Sequence, residues 1–197
     1  MLTDELNALI ARYGPTACRD VELPLDRSGH DYWLYATERR TRRAEVVMVV
    51  QRPDGKVLLH TKTIYPEGVF RLPTGGVTRK EGIEEALERE QWEELGMQLP
   101  VQSMPGIVRW QFRSEQQEFS FLSLLFVLKA SSGFWPEPQD ASEQISGFRW
   151  VPAQDLAVIG AQLHPVDYLF PSWGVWRAVP HELLAEAMVS HKEGYWP

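Results

Sequence analysis

The 197-residue chain is long enough to bury a sizeable core without disulfides, and it has the size of one domain with an appended arm. At 44% hydrophobic and 24% charged residues it is composed like a folded globular protein, not a disordered one. A net charge of −7 excludes simple charge-driven tracking of a nucleic-acid backbone, and the longest nearly apolar run, Phe119–Leu128, is too short to cross a bilayer as a helix. The single cysteine, Cys18, rules out an internal disulfide framework and a multi-cysteine metal site. The acidic start MLTDELNALI carries no readable secretory signal. The expectation is a cytoplasmic protein with a small-molecule partner, no membrane and no extended nucleic acid.

Residues 3–13 read as a short helix. Thr3 can cap it, Leu6, Leu9, Ile10 and Tyr13 recur at helical spacing, and Gly14-Pro15 ends it. Residues 16–43 read as an arm with one or two short strands, such as Asp31–Ala36. The arm closes on Arg39, Arg40, Arg42 and Arg43, read either as an exposed linker or as a patch facing phosphate or a partner. Glu45–Gln51 and Lys56–Thr61 make a hairpin around Pro53-Asp54-Gly55. The turn-rich stretch Pro66–Gly76 leads to a helix at Ile83–Leu95, stopped by Gly96. Further strands are expected at Ile107–Arg113, Glu118–Ala130 and Gly147–Val151. Residues 131–146 form a long acidic loop of the kind often tied to function. Asp155–Ile159 reads as a helical turn and His181–Ser190 as a closing helix. The mixture predicts an α+β or three-layer α/β/α chain. It divides into an arm (1–43), a central domain (44–160) and a C-terminal extension (161–197), packed as one unit. The arm and the aromatic C-terminus exceed what the core needs, which fits a homodimer.

The charge is uneven. Segment 75–97 holds seven acidic and three basic residues. On a helical wheel Ile83, Ala86 and Leu87 define an inward stripe, and its continuation meets Glu90, Glu93 and Glu94. Glu84, Glu85 and Glu88 fall on the opposite side. Glu90 and Glu94 are four apart, hence neighbours. Carboxylates crowded this way can be relieved by protonation, by basic neighbours or by a hard divalent cation. Arg89 can fix one of them through a forked hydrogen bond, with Glu81 or Glu93 as partner. Taken alone, the run also fits an ordinary salt-bridged surface helix.

The wider spacing decides between these. Gly75, five residues, Glu81, seven residues, then Arg89-Glu90-Gln91-Trp92-Glu93-Glu94-Leu95-Gly96-Met97 resembles the 23-residue box of the Nudix hydrolases. All seven fixed positions match: Gly75, Glu81, Arg89, Glu90, Glu93, Glu94 and Gly96. A chance match in this chain is on the order of one in a million. Gln91 departs from the aliphatic usual at its position, which bears on packing rather than on metal, and Met97 is an unusual last residue. The run-in through Gly68, Phe70, Leu72 and Pro73 also fits, and the compatible strand pattern spans 44–157.

The resemblance implies an α/β/α sandwich with a mixed sheet. It also implies a Mg²⁺- or Mn²⁺-dependent hydrolase of nucleoside diphosphate derivatives or related organic pyrophosphates. Carried over, Glu90, Glu93 and Glu94 bind metal, with the Gly75 carbonyl as a further ligand and Arg89 and Glu81 in support. The general base is a box glutamate or an acid on a distant loop. Glu143 is the favoured loop acid, ahead of Glu137, Asp140, Glu115 and Glu118. Sequence marks of particular substrate classes are absent: Arg113 stands where many ADP-ribose hydrolases carry proline, and Ser114-Glu115 where dinucleoside polyphosphate hydrolases carry tyrosine. Cys18 lies far from the glycine turn, unlike the catalytic cysteine of isopentenyl diphosphate isomerases. Tyr65, Phe70 and Trp110 read either as core or as a platform for a planar group, and Arg71 is a further candidate substrate contact. Trp173, Trp176 and Arg177 read mainly as packing, and His60, His164 and His181 as structural or surface residues. The competing functional reading is a non-catalytic Nudix-fold sensor that binds a nucleotide.

Overall fold

The central strand, β2 (Arg42–Gln51), is buried on both faces and therefore almost continuously apolar. Its period of two sends Val47 and Val49 into one core and Ala44, Val46, Met48 and Val50 into another. A computed structural model of the protein describes residues 2–14 and 16–190, with side chains from 3 to 188 apart from residue 15. Pro15, expected to stop the first helix, and the last residues of the expected C-terminal extension (191–197) lie outside the described residues.

The other strands are β1 (Ala17–Pro24), β3 (Lys56–Lys62), β4 (Thr74–Thr78), β5 (Val101–Arg113), β6 (Glu118–Lys129) and β7 (Ile145–Pro152). They form one mixed sheet in the order β1-β5-β6-β2-β3-β7, with β4 paired to β2. The β1–β5 and β2–β6 pairs are parallel and the remainder antiparallel. Helices α1 (Leu2–Tyr13) and α3 (Ile83–Leu95) cover one face through Leu9, Ile83, Ala86 and Leu87. Helices α2 (Arg27–Leu34), α4 (Leu156–Leu163) and α5 (Trp173–Ser190) cover the other through Trp33, Leu156, Leu163, Trp173 and Trp176. The result is the expected α/β/α sandwich. Among the described residues no helix is long and apolar enough to cross a membrane.

The arm corrects the expectation of a strand at Asp31–Ala36. That stretch is helical, in α2 and a π-helical turn, Tyr35–Arg39. The Asp26 carboxylate caps α2 by accepting from the Gly29 N–H at 2.9 Å. Gly29, Trp33 and Ala36 then recur at helical spacing on the buried side, with Trp33 stacked on Phe112 at 4.0 Å. The strand of the arm is β1, which joins the sheet beside β5. The β2–β3 hairpin is also only partly as expected. Gly55 turns the chain with φ +77°, but β2 and β3 share one residue pair, Gln51 with Val57. β3 instead pairs with β7 along its length, and β2 gives its edge to β4 and β6. The closing helix begins at Trp173, eight residues before His181, and runs through Pro180.

Candidate active site

α3 carries its apolar stripe straight into its acids. Ile83, Ala86 and Leu87 are buried, and so are Glu90 and Glu94 further along the same side. Glu93 is half-buried, whereas Glu85, Glu88 and Trp92 face solvent. Buried Gln91 accepts from the Leu99 N–H at 2.7 Å, which accounts for an amide where an aliphatic was expected.

Both ends of α3 are held by distant chain. At its start the Gly82 N–H donates to Glu85, and the Ile83 N–H donates to Glu5 of α1 at 2.6 Å. Arg43 ties these together, donating to Glu5 and to the Glu81 and Thr78 carbonyls. At the other end Gly96 turns with φ +79°. The loop after β6 then clasps the free carbonyls of the last turn: Glu137 N–H to Leu95 O at 3.0 Å, and Gln139 and Asp140 N–H to Glu93 O at 2.9 and 3.2 Å. A Cβ at Gly96 would overlap the Glu137 carbonyl, so glycine serves both the turn and the clasp. The loop emerges at Glu143, beside the helix glutamates.

Carboxylate oxygens of Glu90, Glu93 and Glu143 lie within 4.8 Å of one another, a grouping that fits a cation. Arg89 braces the cluster. Its guanidinium donates to Glu81 at 3.0 and 3.1 Å, Glu90 at 2.8 Å, Glu93 at 2.7 Å and the Gly76 carbonyl at 2.8 Å. Glu81 is held in turn by the Thr78 N–H. Lys62, at the end of β3, donates to Glu94 at 3.0 Å and to Glu143. A Cβ at Gly75 would overlap the Glu90 side chain, so this glycine admits the carboxylate to the turn.

Burial pushes Glu90 up to about 7 against the pull of Arg89, and Glu94 up to about 8 against that of Lys62. Burial also pushes Glu143 up, but the hydrogen bond and charge of Lys62 outweigh it and leave Glu143 below the usual carboxylate range. His60 is fully buried with its Nδ1 3.7 Å from Glu94 Oε2. Burial, then the charges of Arg71, Lys62 and Arg177, drive it well below the usual imidazole value, so it is neutral. Neither its ring nitrogens nor Glu94 Oε2 has a hydrogen-bond partner among the described residues.

Above the acids opens a cleft of about 340 Å³. Glu90, Glu143, Gly75 and Gly76 form its acidic side. The arm supplies Tyr32, Tyr35, Arg40 and Arg42, and the C-terminal segment supplies Tyr168, Leu169, Trp173 and Arg177. Between them, buried Arg71 donates to the Tyr65 hydroxyl at 2.9 Å, the Leu72 carbonyl at 2.7 Å and Thr74 at 2.9 Å. Arg177 lies 3.4 Å above the Trp176 ring and donates to Glu45 at 2.8 Å. Glu45 accepts from Ser123, and Ser123 from Trp110.

These contacts sort the sequence candidates. Glu81, Arg89, Glu90, Glu93, Glu94, Gly75 and Glu143 come together. Tyr65 and Arg71 line the cleft. Trp110 is instead buried in the core against Phe112, and Phe70 lies under Arg149, outside the cleft lining. Glu137 is exposed in the clasping loop, and Asp140 caps the turn that carries Glu143. Glu118 pairs with Arg113 at the β5–β6 turn, and Glu115 is exposed there. His181 is structural: Nε2 accepts from the Leu72 N–H, Nδ1 donates to the Arg177 carbonyl, and burial lowers it to about 3. His164 is exposed and paired with Glu182.

The NUDIX domain family model matches residues 41–172. The chain belongs to the NUDIX family. Phosphatase NudJ of Escherichia coli (strain K12) is 28% identical over 110 residues, covering 56% of this chain and 69% of that protein. The MutT protein of Methanosarcina mazei Go1 superposes with a TM-score of 0.51 at 17% identity, over 77% of this chain and 96% of that one, and so shares the fold. The chain is thus a Nudix-type pyrophosphohydrolase. Within this Nudix fold, Lys62, Tyr35 and Tyr168 carry no mark as site residues in the sequence, whereas Arg40 and Arg42 stand in the run read as an exposed linker or as a patch facing phosphate or a partner. The one available signal was in the arginine run. Arg42 and Arg43 are neighbours on a strand and point to opposite faces, one to the cleft and one to α1.

Proposed function

We infer that the chain is a Mg²⁺- or Mn²⁺-dependent hydrolase that cleaves the diphosphate linkage of a nucleoside diphosphate derivative or a related organic pyrophosphate. The observation that carries this is the convergence of Glu90, Glu93 and Glu143 within 4.8 Å, with Glu90 and Glu143 lining a cleft whose far side is basic and aromatic. A diphosphate is repelled by such a floor unless a divalent ion sits between. Glu90, Glu93 and Glu143 would hold the ion, with Glu94 and the Gly75 carbonyl beside them. Bound there, it would polarise the phosphoryl oxygens and activate water. Arg89 keeps Glu90, Glu93 and Glu81 in one orientation. Lys62 fixes Glu143, the loop acid suited to take the proton of the attacking water. Tyr35, Tyr65 and Tyr168 offer rings for the planar part of a nucleotide.

The test is phosphate release with Mg²⁺ across a panel of nucleotide diphosphate derivatives. The expected outcome is turnover of at least one compound, at least a hundredfold slower in Glu94→Gln. Silence of the wild type on the whole panel would sink the reading.

A further inference from the structure

We propose that Arg40 and Arg42 form an anion subsite on the arm side of the glycine turn, which takes a phosphoryl group of the substrate additional to the two held at the acidic floor. This deepens the hydrolase reading and rests on the same cleft. Five basic side chains line that cleft. Three are already satisfied by the protein. Arg177 is paired with Glu45, Lys62 with Glu94 and Glu143, and Arg71 is bound by the Tyr65 hydroxyl, a carbonyl and Thr74. Arg40 and Arg42 are in no ion pair among the described residues. The carboxylate whose charge Arg40 feels across the cleft, Glu143, is held by Lys62.

The two arginines are nonetheless placed. Arg40 rests on Tyr35, its Nε 3.4 Å from the hydroxyl and its guanidinium 5.6 Å from the ring centre. Arg42 leans over Gly76, where a Cβ would stand within 2.5 Å of its Nε. Gly76 thus makes room for a guanidinium just as Gly75 makes room for Glu90. Half-burying the Arg42 guanidinium with no acid opposite it costs free energy that an incoming anion offsets, and Arg40 stands beside it at the exposed mouth. The planar donor forks of two arginines match phosphoryl oxygens. A ligand with two phosphates spends its charge on the cation at the floor, so the second cationic centre calls for a third anionic group. The substrate class is therefore one with three linked phosphates, or with a phosphomonoester besides the diphosphate.

The test uses imidodiphosphate and diimidotriphosphate, whose P–N–P bridges resist hydrolysis, titrated calorimetrically into the full chain with Mg²⁺. The wild type is expected to bind the triphosphate analogue at least tenfold tighter. Arg40→Gln and Arg42→Gln each cut that ratio to threefold or less, and the double variant to under twofold. Arg40 is exposed, so its variant carries the test even if Arg42→Gln disturbs β2. A wild-type ratio under twofold, no binding of either probe, or an undiminished ratio in the double variant overturns the subsite. An equal loss of both probes leaves the ratio undiminished and places the arginines on the diphosphate itself. Failure of the hydrolase reading looks different: no turnover on any panel compound, with the binding ratio intact.

Discussion

The two sides of the cleft are built in opposite ways. The acidic side is one contiguous stretch, from the glycine turn through α3, and a single helical period brings Glu90 and Glu94 inward together. The basic, aromatic side is gathered from the arm, the β3–β4 region and the head of α5, and its key pair, Glu45 with Arg177, joins residues 132 apart. The acidic side resembles a motif because helix geometry fixes it locally. The opposite side has no motif, because only the packing of α2 and α5 on the sheet creates it. Catalysis should depend on the first and selection among substrates on the second.

The sharpest way to break that division is Glu94→Gln or Glu90→Gln. Each is expected to lower kcat by about two to four orders of magnitude with little change in melting temperature, since glutamine keeps the shape of a carboxyl that burial already holds in good part protonated near neutral pH. Steady-state kinetics beside thermal melts check this. Next comes Arg177→Met, which strands the buried Glu45 carboxylate. A loss of about 3–5 kcal/mol is expected in urea unfolding, with part regained on adding Glu45→Gln. An equal loss in the double variant would mean that the stranded carboxylate is not its cause.

A third prediction concerns pH. Glu90 and Glu94, raised to about 7 and about 8, keep protons in the folded protein that the unfolded chain releases near 4.5. Between those values the native state binds more protons, so these groups make the metal-free protein less stable as pH rises towards 8. Divalent ions need the deprotonated carboxylates. Added Mg²⁺ should therefore raise the melting temperature more at pH 8 than at pH 6, and Glu90→Gln/Glu94→Gln should flatten that difference. The smallest effect belongs to the mouth of the cleft. Tyr35→Ala and Leu169→Ala, both at exposed positions, should raise KM about two- to fivefold and leave kcat within twofold.

What the sequence made legible follows the same division. The span of α3, its cap at Gly96 and the inward glutamates could be read because spacing alone determines them. Glu143 could be favoured among the acids of its loop, but not placed. What selects it is the backbone clasp on Leu95 and Glu93, which involves no side chain and leaves no trace in residue types. The arm misled because Tyr32, Trp33, Leu34 and Tyr35 favour strands by composition, while the Asp26 cap and the burial of Trp33 and Ala36 win as a helix. β3 misled in its partner and not in its nature, since a tight turn fixes where two strands start but not how far they run together. Trp110 has an aromatic face fit for a ligand, but Ser123 and Phe112 claim it first.

The clasp has a practical consequence. Glu143 stands opposite Glu90 where the grip of the final turn of α3 on residues 137–140 and the Lys62 ammonium together hold it. Helix ends fray before cores melt. Gentle heating should therefore silence the chemistry while the sandwich is still intact, and cooling should bring it back without any refolding delay.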